Sequence, residues 1–198
     1  MVSAFLLLSA AWTPALASEE GDDAGSWASV QINKSLGKAY AVARFEHRSF
    51  QSFSATEAWF TVAGAGYKLA PWLKSDLTYE YWHVSPDISI HKAVLCANAS
   101  ASEGPLSVAL REKLEYVIGG SCTLRSRLRV QYANASWTVR PYAMSEIFTW
   151  DSWIRSLYYA GVDVKLSAHS SLDFFYLYHV PAGKVSEHVL GVGYVLNL

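Results

Sequence analysis

The feature that most constrains the fold is the alternation in the last eleven residues, 188–198. A period of two places every second side chain on one face of a β-strand. The final strand of an outer-membrane barrel has this pattern, because it closes the barrel and its outer face meets lipid. We therefore predict a closing strand whose apolar face is the signal read by the barrel-assembly machinery. That face consists of Leu190, Val192, Tyr194, Leu196 and Leu198.

The start of the chain has the pattern of an export signal. Residues 5–8 are apolar, and Ala15, Leu16 and Ala17 fit a small-residue cleavage site. The apolar stretch is too short for a membrane helix, so we predict a signal peptide over residues 1–17, although no Lys or Arg precedes it. Residues 18–26 are predicted to be an acidic flexible segment, and residues 27–198 the barrel.

Composition agrees with an exported membrane barrel. The chain is 52% hydrophobic and 14% aromatic, and its charged fraction of 17% is below the roughly 25% of soluble domains. No stretch beyond the signal approaches about 18 apolar residues, which excludes a spanning helix in that region. The net charge of −1 provides no basic footprint, so we expect no nucleic-acid partner.

Alternation continues through most of the mature chain. It predicts eleven strands, at 27–34, 38–48, 55–69, 73–84, 88–100, 106–118, 123–134, 137–148, 155–166, 171–180 and 187–198. Bacterial single-chain barrels have an even number of strands, so either the first segment is not a full wall strand, it enters the lumen, or one segment is misassigned. The prediction is an all-β, antiparallel transmembrane barrel of about 10–12 strands.

The predicted connections also alternate in character. Residues 35–37, 70–72, 101–105, 135–136 and 167–170 are expected to be tight turns. Residues 49–54, 85–87, 119–122, 149–154 and 181–186 are expected to be mostly wider loops. Because outer-membrane barrels keep short turns in the periplasm, this pattern predicts a periplasmic C-terminus.

Charged residues are predicted to face the lumen. Arg125, Arg127 and Arg129 share one face of a strand, and an Arg facing lipid at the bilayer midplane costs about 2–4 kcal/mol. In a narrow barrel such side chains fill the bore and must pair. Glu112 departs from this register, because it lies on an apolar face. The residues predicted to line the lumen are Arg44, Glu46, Lys74, Asp76, Glu80, Arg111, Lys113, Glu115, Arg125, Arg127, Arg129, Arg140, Glu146, Asp163, Lys165 and Asp173.

Aromatic side chains near strand ends support membrane depth. Trp72 and Trp137 are beside predicted tight turns, and Trp150 and Trp153 flank a predicted loop, where amphipathic rings favour the headgroup level. The alternative is ordinary strand aromatics in a soluble barrel.

The order of several short motifs resembles an uncharacterised family catalogued as domain of unknown function 2490. The resemblance implies an outer-membrane β-barrel and supplies no activity. One departure is Leu198, where many barrel-assembly signals have an aromatic residue. The motifs are Trp27, Asn33-Lys34, Leu36-Gly37-Lys38, Gly64-Ala65-Gly66-Tyr67-Lys68-Leu69, Arg127-Leu128-Arg129, Arg140-Pro141-Tyr142, Ser145-Glu146-Ile147-Phe148, Phe175-Tyr176-Leu177-Tyr178, His188-Val189-Leu190-Gly191 and Tyr194.

Catalytic and metal chemistry are weakly indicated. His169 and Ser171 form a His-x-Ser pair with a faint similarity to an outer-membrane lipid A deacylase, but they lie at a predicted periplasmic turn without an orienting acid. The remaining histidines lack metal-ligand spacing, and we expect no cofactor. Cys96 and Cys122 are predicted to lie two strands apart, a gap near 10 Å that disfavours a disulfide.

The leading hypothesis is a bacterial outer-membrane barrel protein that is structural or weakly pore-forming, has an ion-paired polar lumen and is not an enzyme. The alternatives are a narrow channel for small anionic solutes, a lipid-modifying enzyme, and a soluble periplasmic barrel carrying a hydrophobic ligand. Outer-membrane lipid and the assembly machinery are the expected partners. The oligomeric state is left open.

Overall fold

The computed structural model describes residues 23–50, 55–84, 87–150, 152–182 and 186–198. The predicted signal peptide and residues 18–22 of the acidic segment lie outside this part of the chain. Every regular element within it is a β-strand. None of its residues forms a helix long and apolar enough to cross a membrane.

Eleven strands, numbered in chain order, make up the wall. They are 11 to 16 residues long, which suits tilted strands that cross a bilayer and extend slightly beyond it. Their bounds are β1 Asp23–Leu36, β2 Ala39–Phe50, β3 Ala55–Ala70, β4 Leu73–Val84, β5 Ile88–Glu103, β6 Leu106–Val117, β7 Cys122–Tyr132, β8 Val139–Trp150, β9 Ser152–Lys165, β10 Ser170–Pro181 and β11 Glu187–Asn197.

The strands form one closed barrel in which each strand pairs with its neighbours in sequence, and β11 pairs with β1. The all-β barrel of about 10–12 strands is therefore confirmed, but the prediction that every pair is antiparallel is wrong. Each hairpin reverses the chain direction, so the first and eleventh strands run the same way. An odd number of strands can close only through a parallel seam, and β1 and β11 form it.

The seam extends along most of both strands. It pairs Asp23 with Glu187 at one end and Asn33 with Asn197 at the other. Beyond that point the Ser35 N–H donates to the Leu198 carbonyl at 3.0 Å, and the Leu198 N–H donates to the Asn33 carbonyl at 2.8 Å. Strand β1 is thus a full wall strand, and the three explanations that we considered for an odd count are not needed.

The strand bounds follow the sequence pattern with small shifts. Strand β4 spans the predicted residues 73–84 without change, whereas β1 begins at Asp23, four residues before the predicted start of the barrel at Trp27. Residues 23–26 of the segment expected to be flexible are therefore strand. The cause is the partner strand, because β11 supplies hydrogen-bond partners back to Glu187.

Connections at the two ends of the barrel differ less than predicted. We call the end where Leu198 lies the C-terminal end and the opposite end, where Asp23 lies, the N-terminal end. Residues 135–136 were expected to be a tight turn but lie within a connection of six residues, 133–138, at the C-terminal end. Residues 149, 150 and 152–154 of the wider loop expected at 149–154 are strand, because β8 and β9 continue past a bulge at Phe148 and Thr149; residue 151 lies outside the described residues.

Two turns at the C-terminal end depend on glycine. Gly37 and Gly104 have φ values of 70° and 56°, in the left-handed region that other residues rarely adopt. Each glycine is the first residue of a two-residue connection, between β1 and β2 or between β5 and β6. Such short turns fix the register of both hairpins.

Candidate functional site in the barrel lumen

The lumen receives every second side chain from each strand. The cross-strand register places Arg44 beside Gln31 and Val62, and Arg127 beside Arg111 and Glu146, so these side chains share the inner face. Lys74 and Lys165 are exposed at the mouth of the C-terminal end. Each predicted lumen residue occupies an inward register position, namely Arg44, Glu46, Lys74, Asp76, Glu80, Arg111, Lys113, Glu115, Arg125, Arg127, Arg129, Arg140, Glu146, Asp163, Lys165 and Asp173.

Four glutamates are the most deeply buried charged groups of the lumen. Glu46, Glu80, Glu115 and Glu146 come from alternate strands, β2, β4, β6 and β8, and are between 1% and 3% exposed. A buried carboxylate without a counter-charge is strongly destabilising. These four side chains therefore require the cations that surround them.

Two cations connect three of these glutamates. Lys113 Nζ lies 3.1 Å from Glu80 Oε1 and 3.6 Å from Glu115 Oε1. Arg125 uses one terminal nitrogen for Glu115 at 3.1 Å and the other for Glu146 at 2.7 Å. The result is a continuous chain of ion pairs from β4 to β8, which we call the ionic wall.

Further cations contact the buried glutamates of the lumen. Lys92 Nζ lies 3.1 Å from Glu115 Oε2, and Arg111 lies 2.9 Å from Glu146 Oε1. On β2, Glu46 pairs with Arg44 and, at 2.8 Å, with Arg48. The Arg48 guanidinium also lies 3.8 Å from the centre of the Trp27 ring. Arg48 thus joins the charged part of the lumen to an aromatic part.

The opposite side of the lumen is apolar, whereas a polar lumen was predicted. Here Leu177 is fully buried and Val189 is 2% exposed. Phe175 contacts Trp27 edge to face at 6.4 Å between ring centroids, and contacts Tyr159 at 5.6 Å. We call this cluster the apolar wall, and its residues are Trp27, Tyr142, Met144, Phe148, Leu157, Tyr159, Phe175, Leu177 and Val189.

The lumen is therefore polar only in part, and the prediction of a wholly polar lumen is not met. The signal was available in the sequence, because Leu157 and Tyr159 have the same parity on β9 as Asp163. Strands β9 to β11 carry few inward charges near mid-strand, so their inner faces meet one another instead of meeting ions. Small barrels fill their interior with side chains, and apolar side chains do so without the cost of burying charge.

Glycines make room for the largest rings of the lumen. A Cβ added to Gly191 would lie 1.9 Å from the Phe175 ring, which is its cross-strand neighbour. Gly161 has the same relation to Tyr142, with a separation of 2.7 Å. Each ring lies over the backbone of the strand beside it. This arrangement explains why glycine occurs within strands that otherwise favour larger residues.

A small cavity of about 20 Å³ remains toward the N-terminal end. That volume holds roughly one water molecule. Arg48, Arg125 and Arg155 contribute to its lining, together with Trp82 and Phe148. The Arg155 guanidinium lies 4.1 Å from the centre of the Phe148 ring. Glu57, Glu115 and Glu187 also contribute, so the lining combines aromatic rings with charges of both signs.

Three inward arginines, Arg127, Arg129 and Arg155, make no ion pair with the carboxylates of the described residues. Arg129 instead lies 3.7 Å from the centre of the Tyr142 ring. Arginine stacks readily on aromatic rings, which partly replaces an ionic partner. These arginines leave the lumen with an excess of positive charge.

The outer face is apolar along the strands and aromatic near their ends. Trp72 and Trp137 are more than half exposed at the C-terminal end, and Trp150 is 46% exposed at the other. The side chain of Trp153 lies outside the described residues. The large exposed residues between the ends include Ile32, Phe45, Leu77, Leu95, Leu110, Leu114, Leu124, Leu128, Val130, Ile147, Tyr158 and Phe174.

A known family matches most of the chain. The family model described as "Protein of unknown function (DUF2490)" matches residues 24–185. The chain belongs to the DUF2490 family. The resemblance inferred from the sequence is thereby confirmed. No curated protein and no solved structure matches this DUF2490 chain.

The other chemical candidates of this DUF2490 protein lie apart from one another. Cys96 is buried in the lumen, and Cys122 lies on the outer face of β7; both are free. Ser171 has inward parity on β10, and the His169 backbone N–H donates to Ser167 Oγ at 3.1 Å. Among the described side chains, no contact joins His169 to Ser171. The described residues contain no group of three metal-ligating side chains.

Proposed function

We propose that this DUF2490 protein is an integral outer-membrane barrel that is closed by its own side chains and acts as a membrane scaffold. The observation that carries the proposal is the contact of the two lumen walls. The ionic wall crosses from β4 to β8, and the apolar wall is formed by β8 to β11 and β1. The Arg125 guanidinium of the first lies 4.5 Å from the centre of the Phe148 ring of the second. A lumen filled in this way supports the barrel shape and leaves little room for solutes.

Membrane insertion is supported by the outer face. Large apolar side chains are exposed on nearly every strand, and tryptophans lie near both ends. Soluble monomers rarely expose contiguous apolar surface beyond a few hundred Å². The soluble barrel that carries a hydrophobic ligand requires the reverse arrangement, with an apolar lumen and a charged exterior.

Fractionation tests this location. We expect the protein to remain in the outer-membrane fraction through carbonate and high-salt washes and to be extracted only by detergent. Release by either wash would contradict membrane insertion. A processed N-terminus in the extracted protein would support the proposed signal peptide over residues 1–17.

Planar-bilayer recording tests closure. We expect no steady conductance from the wild-type protein. The matched variant is the double substitution Tyr159→Ala and Phe175→Ala, which removes two rings of the apolar wall that contact each other at 5.6 Å between centroids and should create a measurable conductance. A steady wild-type conductance would contradict closure.

The second candidate function is a narrow channel for small anions. The observation that favours it is the presence of Arg127, Arg129 and Arg155 in the lumen without carboxylate partners among the described residues. Rings of cationic side chains favour anions. If the wild-type protein conducts, a reversal potential that indicates anion selectivity would support this candidate.

The proposal includes no enzymatic step, and outer-membrane lipid and the barrel-assembly machinery are the proposed partners. The mass spectrum of lipid A should be the same with and without the gene. A difference would support a lipid-modifying enzyme instead. The apolar residues of β11 share the outer face and remain the proposed assembly signal, namely Leu190, Val192, Tyr194, Leu196 and Leu198.

A further inference from the structure

Glu112 is a charged residue on the lipid-facing side of the wall. It is the seventh residue of β6, between Leu110 and Leu114, which are 46% and 41% exposed. Away from the strand ends, no other Asp, Glu, Lys or Arg of the described residues has an outward position. An ionisable residue within a membrane-spanning segment is a functional-site hypothesis by default.

The depth of Glu112 prevents it from reaching water. About 17 Å of strand separate it from Val117, and a strand tilt of about 40° leaves roughly 13 Å of depth. A glutamate side chain is too short to extend over that distance. Its carboxyl group must therefore be satisfied within the hydrocarbon.

The chain itself supplies one hydrogen bond to this carboxyl group. Ser126, the cross-strand neighbour on β7, donates from Oγ to Glu112 Oε2 at 2.6 Å. The described residues provide no other partner. A carboxyl group away from water needs hydrogen-bond partners within the protein or its neighbours, because it has lost its hydration. It offers several acceptor sites and, as the acid, one O–H donor, so the single contact with Ser126 leaves most of this capacity unused.

The surface beside Glu112 allows close approach. Its neighbour on β5 is Ala97, and the outward positions on either side of Ala97 along that strand are Leu95 and Ala99. Leu124 and Leu128 form a ridge on the other side, next to Ser126. The outer surface therefore rises from small side chains on β5 to larger ones on β7, and the carboxyl group of Glu112 lies between them.

We propose that this patch, defined by Ala97, Glu112 and Ser126, is the contact site for a second copy of the chain. A carboxylic acid is self-complementary, because each O–H can donate to the carbonyl oxygen of the other. A two-fold axis at Glu112 brings two such groups together and places the same surface on both copies. The pairing satisfies the groups that Ser126 leaves unused. This inference rests on the proposed membrane location.

Photo-crosslinking in native membranes tests the site. A benzophenone side chain placed at Ala97 should give an adduct of twice the mass, at least tenfold more abundant than the adduct from Val30. Val30 is the matched control, because it lies outward on β1, at the opposite side of the barrel. Equal yields from the two positions, or an adduct with another protein, would overturn the proposal.

Substitutions of Glu112 test the mechanism. Glu112→Leu should reduce the Ala97 adduct to the Val30 level, whereas Glu112→Gln should keep it within twofold, because two amides can also pair. Sedimentation in density-matched detergent should show a dimer for the wild type and a monomer for Glu112→Leu. An adduct that Glu112→Leu leaves unchanged would overturn the proposal.

The same samples distinguish a failure of the proposed membrane insertion from a failure of the proposed second-copy contact. Protein that is released by carbonate contradicts membrane insertion. Protein that requires detergent but gives no adduct at Ala97 contradicts only the second-copy contact. Glu112→Leu replaces a polar group by one that lipid accommodates, so the variant is expected to insert at least as well as the wild type.

Discussion

The ionic wall occupies its side of the lumen with ion pairs, and the apolar wall occupies the opposite side with apolar side chains. Both fill the bore, but the buried glutamates of the ionic wall depend on the cations that contact them, whereas the side chains of the apolar wall depend on complementary shape. Replacing a buried ion pair by apolar residues is often neutral, whereas removing one partner alone is strongly destabilising. The two walls should therefore respond differently to single substitutions.

The difference also bears on closure. Ion pairs can rearrange around water, and the cavity lies against residues of the ionic wall such as Lys92, Glu115 and Arg125. The apolar wall excludes water, because Leu177 and Val189 have almost no accessible surface. We expect any opening of the lumen to begin beside the charged side chains.

The largest effect is expected from Arg125→Ala. This substitution removes the bridge between Glu115 and Glu146, so both carboxylates lose a counter-charge, at a cost of about 3–5 kcal/mol in the free energy of unfolding. Urea unfolding in micelles, followed by tryptophan fluorescence, measures it. Lys165→Ala, at the exposed mouth, is the control. A loss below about 1 kcal/mol for Arg125→Ala would show that its ion pairs do not stabilise the ionic wall.

Leu177→Ala tests the apolar wall with the same assay. Leu177 is 0% exposed, so the substitution leaves a cavity that should cost about 2–5 kcal/mol. Leu172→Ala on the same strand is the matched control, because Leu172 points outward, away from the packed lumen. Equal effects from the two leucines would mean that the apolar wall is loosely packed.

A smaller effect is expected from Gly191→Ala. The added methyl group would overlap the Phe175 ring, and such overpacking costs about 1–3 kcal/mol. Gly193→Ala is the control, since its nearest neighbour is Ser29 Oγ at 3.1 Å. Adding Phe175→Leu should restore part of the loss in the Gly191 variant. No restoration would show that the strain lies in the backbone and not in the ring contact.

The smallest effect is expected from Arg155→Gln. Arg155 has no ion pair with the described carboxylates, and its stacking on Phe148 is worth about 0.5–2 kcal/mol. Comparing the free energies of unfolding of Arg155→Gln and Arg125→Ala distinguishes the contribution of an arginine without an ion pair from that of an arginine with two. A loss as large as that of Arg125→Ala would indicate that Arg155 holds a carboxylate outside the described residues.

Much of the wall could be predicted from the alternation alone. Strand β4 has its predicted bounds, and Arg125 and Glu146 have inward positions as their parity indicated. A period of two is a local property of a strand, so it is readable wherever polar and apolar residues alternate. Alternation predicted eleven strands, but the rule of even strand numbers widened the prediction to about 10–12. That rule describes other barrels and not this sequence.

The contents of the lumen were less predictable. Leu157 and Leu177 have the inward parity of Asp163 and Asp173, but parity alone does not show that the inward apolar side chains of several strands gather into one cluster. Which cation meets which glutamate also depends on barrel closure, since Arg111 and Glu146 are 35 residues apart. Pair contacts of this kind arise only when nonadjacent strands converge across a narrow bore.

The sequence by itself determined the alternating strands, their approximate number and the inward position of the charges, because each of these is set by neighbouring residues along one strand. The tertiary structure decided the parallel seam between β1 and β11, the division of the lumen into an ionic and an apolar wall, and the hydrogen bond from Ser126 to Glu112. Those features require the barrel to close, which brings together side chains that no local pattern relates.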